Sequence, residues 1–150
     1  MPRQNIDASV PNKVTKKYLE KNKAKFFEQQ CKKEFEDFLQ KHSTVKPVIL
    51  CAHNGKRYDH RILAHHHLNF KGQVVDSIDI FKSVSPGRNS YSLKNLHNEL
   101  FGSNVPGAHN AMPDIYALLK IINQLNIETA DILCKCEPFS AVQARVAKSV

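Results

Sequence analysis

The run Val48-Ile49-Leu50-Cys51-Ala52-His53-Asn54-Gly55-Lys56-Arg57-Tyr58-Asp59 decides how this chain is read. Its first residues are continuously apolar and follow a break at Lys46-Pro47. A short run without polar alternation fits a strand buried on both faces, which would bury Cys51 as well. A helical pattern follows from about Tyr58 to His67 and predicts Ile62 and Leu63 on its buried face. Further along, His109-Asn110-Ala111-Met112-Pro113-Asp114 opens another helical pattern, with Pro113 in the first turn, where a missing N–H costs little. Each segment places an acid, Asp59 or Asp114, at the edge of a strand–helix layer, and the second sets a histidine before its acid. Two carboxylates and an imidazole converging on one cleft are the parts that metal-assisted phosphodiester hydrolysis requires.

The surrounding pattern is an alternation of helices and strands. From about Lys21 to Gln40, Phe27, Cys31, Phe35, Phe38 and Leu39 recur at helical spacing and predict a core-facing stripe. Gln73 to Ile80 reads as a second strand, and 83–89 as a loop rich in turn residues. Ser90 or Ser92 is placed to cap a helix carrying Leu93, Leu96 and Leu100, with Gly102 as its stop. The helix from about Asn110 to Leu125 is expected to bury Ala111, Ile115, Leu118, Leu119 and Ile122. A short helix is expected within 128–136, and the remaining tail carries no reading. Such alternation implies an α/β layer, but two strands do not make a stable sheet.

Composition narrows the class. The 150 residues are 41% hydrophobic, enough for one domain or most of one. No run of 18 apolar residues is present, so no membrane span is expected, and the first residues contain no apolar signal-like stretch. Cys31, Cys51, Cys134 and Cys136 form no Cys-x-x-Cys pair; they read as reduced thiols of an intracellular protein, cytoplasmic or nuclear. A zinc site from Cys134, Cys136 and His65-His66-His67 is poorly spaced, because adjacent helical residues do not face one another. The net charge is +8, and residues 1–25 carry Arg3, Lys13, Lys16, Lys17, Lys21, Lys23 and Lys25 against Asp7 and Glu20. A basic excess of this kind favours nucleic acid through counterion release, without sequence preference.

The two quoted segments carry a resemblance. His53-Asn54-Gly55-Lys56-Arg57-Tyr58-Asp59 resembles the His-Asn-x-x-x-(Phe/Tyr)-Asp motif of the DEDDh 3′–5′ exonucleases, and His109-Asn110-Ala111-Met112-Pro113-Asp114 resembles their His-x-Ala-x-x-Asp motif. Asp76-Ser77 and Ser90-Tyr91-Ser92-Leu93 resemble the three-prime repair exonucleases within that family. The resemblance is specific from Pro47 to Ile122 and loose before that. The first family motif, Asp-x-Glu on an apolar strand, does not occur in the sequence.

The resemblance implies a ribonuclease H-like α/β exonuclease fold, N-terminally truncated, with about two of five sheet strands present. Charge, patterning and the resemblance together divide the chain into a basic, mostly irregular arm at 1–20, a partial exonuclease domain at 21–126, and a short helix and tail at 127–150. Val48–Cys51 should pair with Val74–Asp79 on one side only.

The implied reaction is stepwise hydrolysis of DNA from the 3′ end with two Mg²⁺ or Mn²⁺ ions, hard cations suited to carboxylate oxygen. Asp114 would ligate the inner metal, Asp59 would hold metal through its bound water, and His109 would take the proton from the attacking water. Asp59 and Asp114 should therefore converge, with His109 at the cleft edge. Asn54 is divided between holding its loop and approaching the terminal nucleotide, and Tyr58 between core packing and the substrate sugar. Arg57 suits a phosphate contact. Tyr91, with Arg88, Ser90 and Lys94, stands beside a loop suited to a single-strand channel.

The expected partner is single-stranded or 3′-ended DNA, with RNA left open and no membrane. With two carboxylates lacking, the expectation is a fragment of impaired activity. The alternative is a catalytically inactive module on the same scaffold that binds nucleic acid or protein.

Overall fold

The computed structural model describes residues 30–149. The arm at 1–20 and the first part of the expected Lys21–Gln40 helix, including Phe26 and Phe27, lie outside them. The described chain forms two compact units, one of residues 92–124 and one of residues 30–91 with 125–149.

The larger unit holds a sheet. β1 (Ile49–Ala52) pairs in parallel with β2 (Gln73–Asp76), in the register Ile49↔Gln73 to Ala52↔Asp76. The crossover between them is helix α2, following α1 (Lys32–Ser43) in chain order and spanning Asp59–His65. A parallel pair needs such a crossover because a tight hairpin cannot reverse the chain direction twice. β2 is the central strand, with Val74 and Val75 both buried, whereas β1, expected to be buried on both faces, is only half-buried at Ile49, Leu50 and Ala52 because it pairs on one side only among the described residues.

β2 ends at Asp76, earlier than the sequence pattern predicts. The Ile78 N–H donates to the Asp76 carboxylate at 3.0 Å, and this cap starts helix α3 (Ser77–Val84). Ile78 and Ile80 alternate like a strand, yet Ser77, Ile80 and Phe81 are the buried set, which is helical spacing. The cap therefore overrides the alternation.

The smaller unit contains α4 (Leu93–Phe101) and α5 (Ala111–Gln124). Ser92 caps α4 by accepting from the Asn95 N–H, and Gly102 closes it at φ 70° with its N–H on the Asn98 carbonyl. Within this unit α4 packs on one face of α5, burying Leu96, Ala117, Leu118 and Ile121. The predicted stripe is thereby corrected. Ala111, Ile115 and Leu119 are exposed and Ile122 is half-buried, because α4 covers the neighbouring face.

The tail holds two elements beyond α6 (Thr129–Leu133). β3 (Glu137–Pro138) pairs antiparallel with β2, and α7 (Phe139–Lys148) packs against α2. The sheet order is β1-β2-β3, so among the described residues β1 is an edge strand. Leu39, Ala64, Leu68, Phe70, Val74, Phe139 and Val142 form the core, with the Phe70 and Phe139 rings 5.9 Å apart in a tilted arrangement. Gly72 stands where no side chain fits: a Cβ there would fall 2.7 Å from the Val48 carbonyl oxygen.

Three burial expectations are corrected in this unit. Phe38 is exposed and lies against the His42 ring, 4.4 Å between centroids. Cys51 is exposed on β1, not in the core. In α2 the buried positions are His60 and Ala64, one turn apart, with Leu63 half-buried, so Ile62 turns outward.

Candidate active site

The loop after β1 is built on a left-handed residue and a glycine. Asn54 has φ 61°, a conformation that Asn tolerates better than most residues. The Arg57 and Tyr58 N–H groups turn back to the Asn54 carbonyl, and the His60 N–H reaches the Gly55 carbonyl at 2.9 Å. The buried Asp76 carboxylate accepts the Asn54 N–H at 2.9 Å and the Lys56 N–H at 3.1 Å. The Lys56 ammonium pairs with Asp79 at 2.5 Å, which holds its pKa up. Asn54 thus holds its loop through its main-chain N–H and carbonyl.

This loop delivers Arg57, Tyr58 and Asp59 to the surface at the C-terminal end of β1, with Asp59 the first residue of α2. Tyr58 is exposed, which rules out the core-packing alternative for its ring. A carboxylate in the first turn is favoured by the helix dipole and remains open to solvent.

His53, the first residue of the motif, is taken up by the scaffold. Its Nε2 lies 2.8 Å from the Tyr91 carbonyl oxygen and its Nδ1 2.8 Å from Ser77 Oγ. A carbonyl only accepts, so Nε2 carries the proton and the Ser77 hydroxyl donates to Nδ1. Burial pushes the His53 pKa down, against the Tyr91 carbonyl and Asp76, which raise it. Tyr91 is bound on both sides, since its hydroxyl donates to the Ser85 carbonyl at 2.8 Å and its main chain holds His53. It braces the 85–91 loop, and its ring is half-buried.

Sequence reasoning missed His60. It is almost fully buried, neither ring nitrogen has a hydrogen-bond partner among the described residues, and burial lowers its pKa. The signal was available in retrospect: Ala64 follows one helical turn later, so the two share a face.

His109 and Asp114 belong to the smaller unit, and the structure brings them together. His109 has φ 69°, and its backbone N–H donates to the Asp114 carboxylate at 3.3 Å. The Asp114 N–H in turn bonds the Asn110 carbonyl at 3.1 Å, within the turn that opens α5. The His109 ring is exposed. A cavity of about 360 Å³ is lined by Ser92, Leu93, Lys94, Asn104, His109 and Asp114, so the start of α4 and the second motif share one recess. Asn54, Arg57, Tyr58, Asp59 and Tyr91 all belong to the larger unit.

Asp59 and Asp114 offer hard oxygen donors suited to Mg²⁺ or Mn²⁺. Among the described residues, however, no cluster of three or more His, Cys, Asp or Glu side chains is arranged to hold a metal ion. No described helix is long and apolar enough to cross a membrane.

Comparisons with known proteins agree with the motifs. A family model described as exonuclease matches residues 11–122. Human three-prime repair exonuclease 1 is 37% identical over 92 residues, covering 51% of this chain and 29% of that protein. The bovine protein of the same name is 35% identical over 100 residues, 56% of this chain and 31% of its own length. Exonuclease DPD1, chloroplastic/mitochondrial, of Arabidopsis thaliana is 28% identical over 117 residues, 68% of this chain and 37% of that protein. The chain thus spans about a third of the length of these curated relatives. With the family model matching most of its length and both motifs in place, the chain belongs to the DEDDh 3′–5′ exonuclease family.

Proposed function

We propose that this chain carries part of a 3′–5′ exonuclease site that acts on DNA, with RNA open as a substrate. The observation that supports it most is the turn at 109–114. It sets an exposed imidazole and a carboxylate on one recess, in the order and spacing of the second family motif. Asp59 would join Asp114 as a ligand of divalent cations, and convergence of these two acids belongs to this proposal. A bound pair of Mg²⁺ ions would supply charge stabilisation at the scissile phosphate and an acidified water. His109 would accept that water's proton, a role open to a solvent-accessible imidazole. Arg57 and Tyr58, exposed beside Asp59, would meet the phosphate and sugar of the terminal nucleotide.

The proposed site is impaired, because the sequence contains no Asp-x-Glu to complete the four acids. The arm at 1–20 is assigned to electrostatic capture of the strand. The net charge of +8 supports a second reading, in which the chain binds nucleic acid without cutting it. Release of mononucleotides from 3′-labelled single-stranded DNA in Mg²⁺, with Asp114→Ala as control, separates the two. Slow release that Asp114→Ala abolishes supports the nuclease. Salt-dependent binding with no Asp114-dependent release supports the binding module.

A further inference from the structure

The Asp76 carboxylate is nearly fully buried and is held by backbone N–H groups from two separate segments. One oxygen accepts from Asn54 at 2.9 Å and from Ile78 at 3.0 Å, and the other accepts from Lys56 at 3.1 Å. Asp76 also stands opposite Ala52 in the sheet, where β1 ends and the motif loop begins. A single side chain therefore ties the exit of β1 to the start of α3. Hydrogen bonds to an ionised carboxylate are shorter and stronger than neutral ones, and a buried carboxylate gains most from having them.

We infer that Asp76 is a positioning residue for the site, acting through the loop that presents Asp59. The path is short and continuous. Asp76 fixes the N–H groups of Asn54 and Lys56, and the Asn54 carbonyl receives Arg57 and Tyr58. The Gly55 carbonyl then receives His60, which sets the first turn of α2 with Asp59 at its head. His53 closes the same junction from the other side through Ser77 and the Tyr91 carbonyl. Asp76 touches neither substrate nor metal in this account. Its link to catalysis rests on the assignment of Asp59 under the proposed function.

The test is amide hydrogen exchange and Mn²⁺-induced line broadening on the ¹⁵N-labelled 150-residue chain, for wild type, Asp76→Asn and Asp76→Ala. Asparagine keeps one carbonyl oxygen and loses the second acceptor. Exchange at Lys56 should rise about tenfold in Asp76→Asn, with Asn54 and Ile78 little changed, whereas all three should rise in Asp76→Ala. Broadening at the Asp59 amide should weaken in both variants, read for Asp76→Asn well below its own thermal midpoint, which is expected to be lower than that of the wild type. Unchanged Lys56 exchange in Asp76→Asn overturns the clamp. Faster exchange with undiminished broadening at Asp59 reduces Asp76 to a structural residue and overturns the positioning role. If the wild type shows no broadening at Asp59, the metal assignment fails instead, and the exchange pattern still decides whether Asp76 sets the loop. Should Asp76→Ala not fold, Asp76→Asn carries both readouts.

Discussion

His60 lies so close to Gly55 that a Cβ on the glycine would fall 2.6 Å from the imidazole Nε2. The ring fills the space beneath the motif loop, and its two nitrogens have no hydrogen-bond partner among the described residues. A polar ring occupies a position that packing alone would give to an apolar one.

Acid sensitivity follows from this placement. Burial is the leading cause of the lowered pKa of both His60 and His53. The unfolded chain therefore binds protons more readily than the folded one. Stability is full above the ordinary histidine value of about 6.5 and falls as pH drops through and below it. Urea midpoints should decline between pH 7.5 and pH 5. His60→Leu should shrink that decline and leave the part due to His53. An unchanged pH dependence in His60→Leu would remove His60 from the account.

Gly55→Ala should destabilise the loop through the same contact. The added methyl meets the His60 ring and also Ala52 at 3.0 Å, so something must shift. Overpacking of this kind costs roughly 1–3 kcal/mol. The double variant Gly55→Ala with His60→Ala should recover part of that loss, and strict additivity in chemical denaturation would contradict the contact.

Phe139 tests whether the last helix belongs to the core. The side chain is fully buried against Phe70. Phe139→Ala should cost about 3–5 kcal/mol, a large share of the ~5–15 kcal/mol typical of a domain. An equilibrium unfolding curve within about 1 kcal/mol of wild type would show that α7 is dispensable.

Activity should be low. On the proposed two-metal reading, the metals supply several kcal/mol of transition-state stabilisation, so a chain contributing only Asp59 and Asp114 should be slower by orders of magnitude. Single-stranded DNA labelled at its 3′ end should be degraded slowly in Mg²⁺ and not at all by Asp114→Ala, whereas no release from either would favour the binding module. Turnover at ordinary enzyme rates, lost in Asp114→Ala, would show that another acid or a partner chain completes the site.

Binding should depend steeply on salt. Replacing Lys13, Lys16 and Lys17 with Gln should reduce the log–log salt slope by up to ~2 for a single strand, at ~0.7 per phosphate contact. Fluorescence anisotropy across ionic strengths measures it. A slope that the triple variant leaves intact would take these three lysines out of the interface.

Short-range chemistry was legible in the sequence. Ser92 as a cap, Gly102 as a stop, β1 behind Lys46-Pro47 and the acids at the heads of α2 and α5 each depend on a few neighbouring residues. The two motifs were legible for the same reason, and with them the family. Tertiary structure decided what depends on distant partners. Asp76 ended β2 because its carboxylate met amides at 54 and 56 as well as 78. The face of α5 that is buried was chosen by α4, and the one α2 buries was set with α7 packed against it. The tail became strand and helix because Glu137 and Pro138 found β2, and Phe139 and Val142 found the core. Periodicity shows that a helix has an apolar face; only the neighbour that covers it determines which residues lose their water.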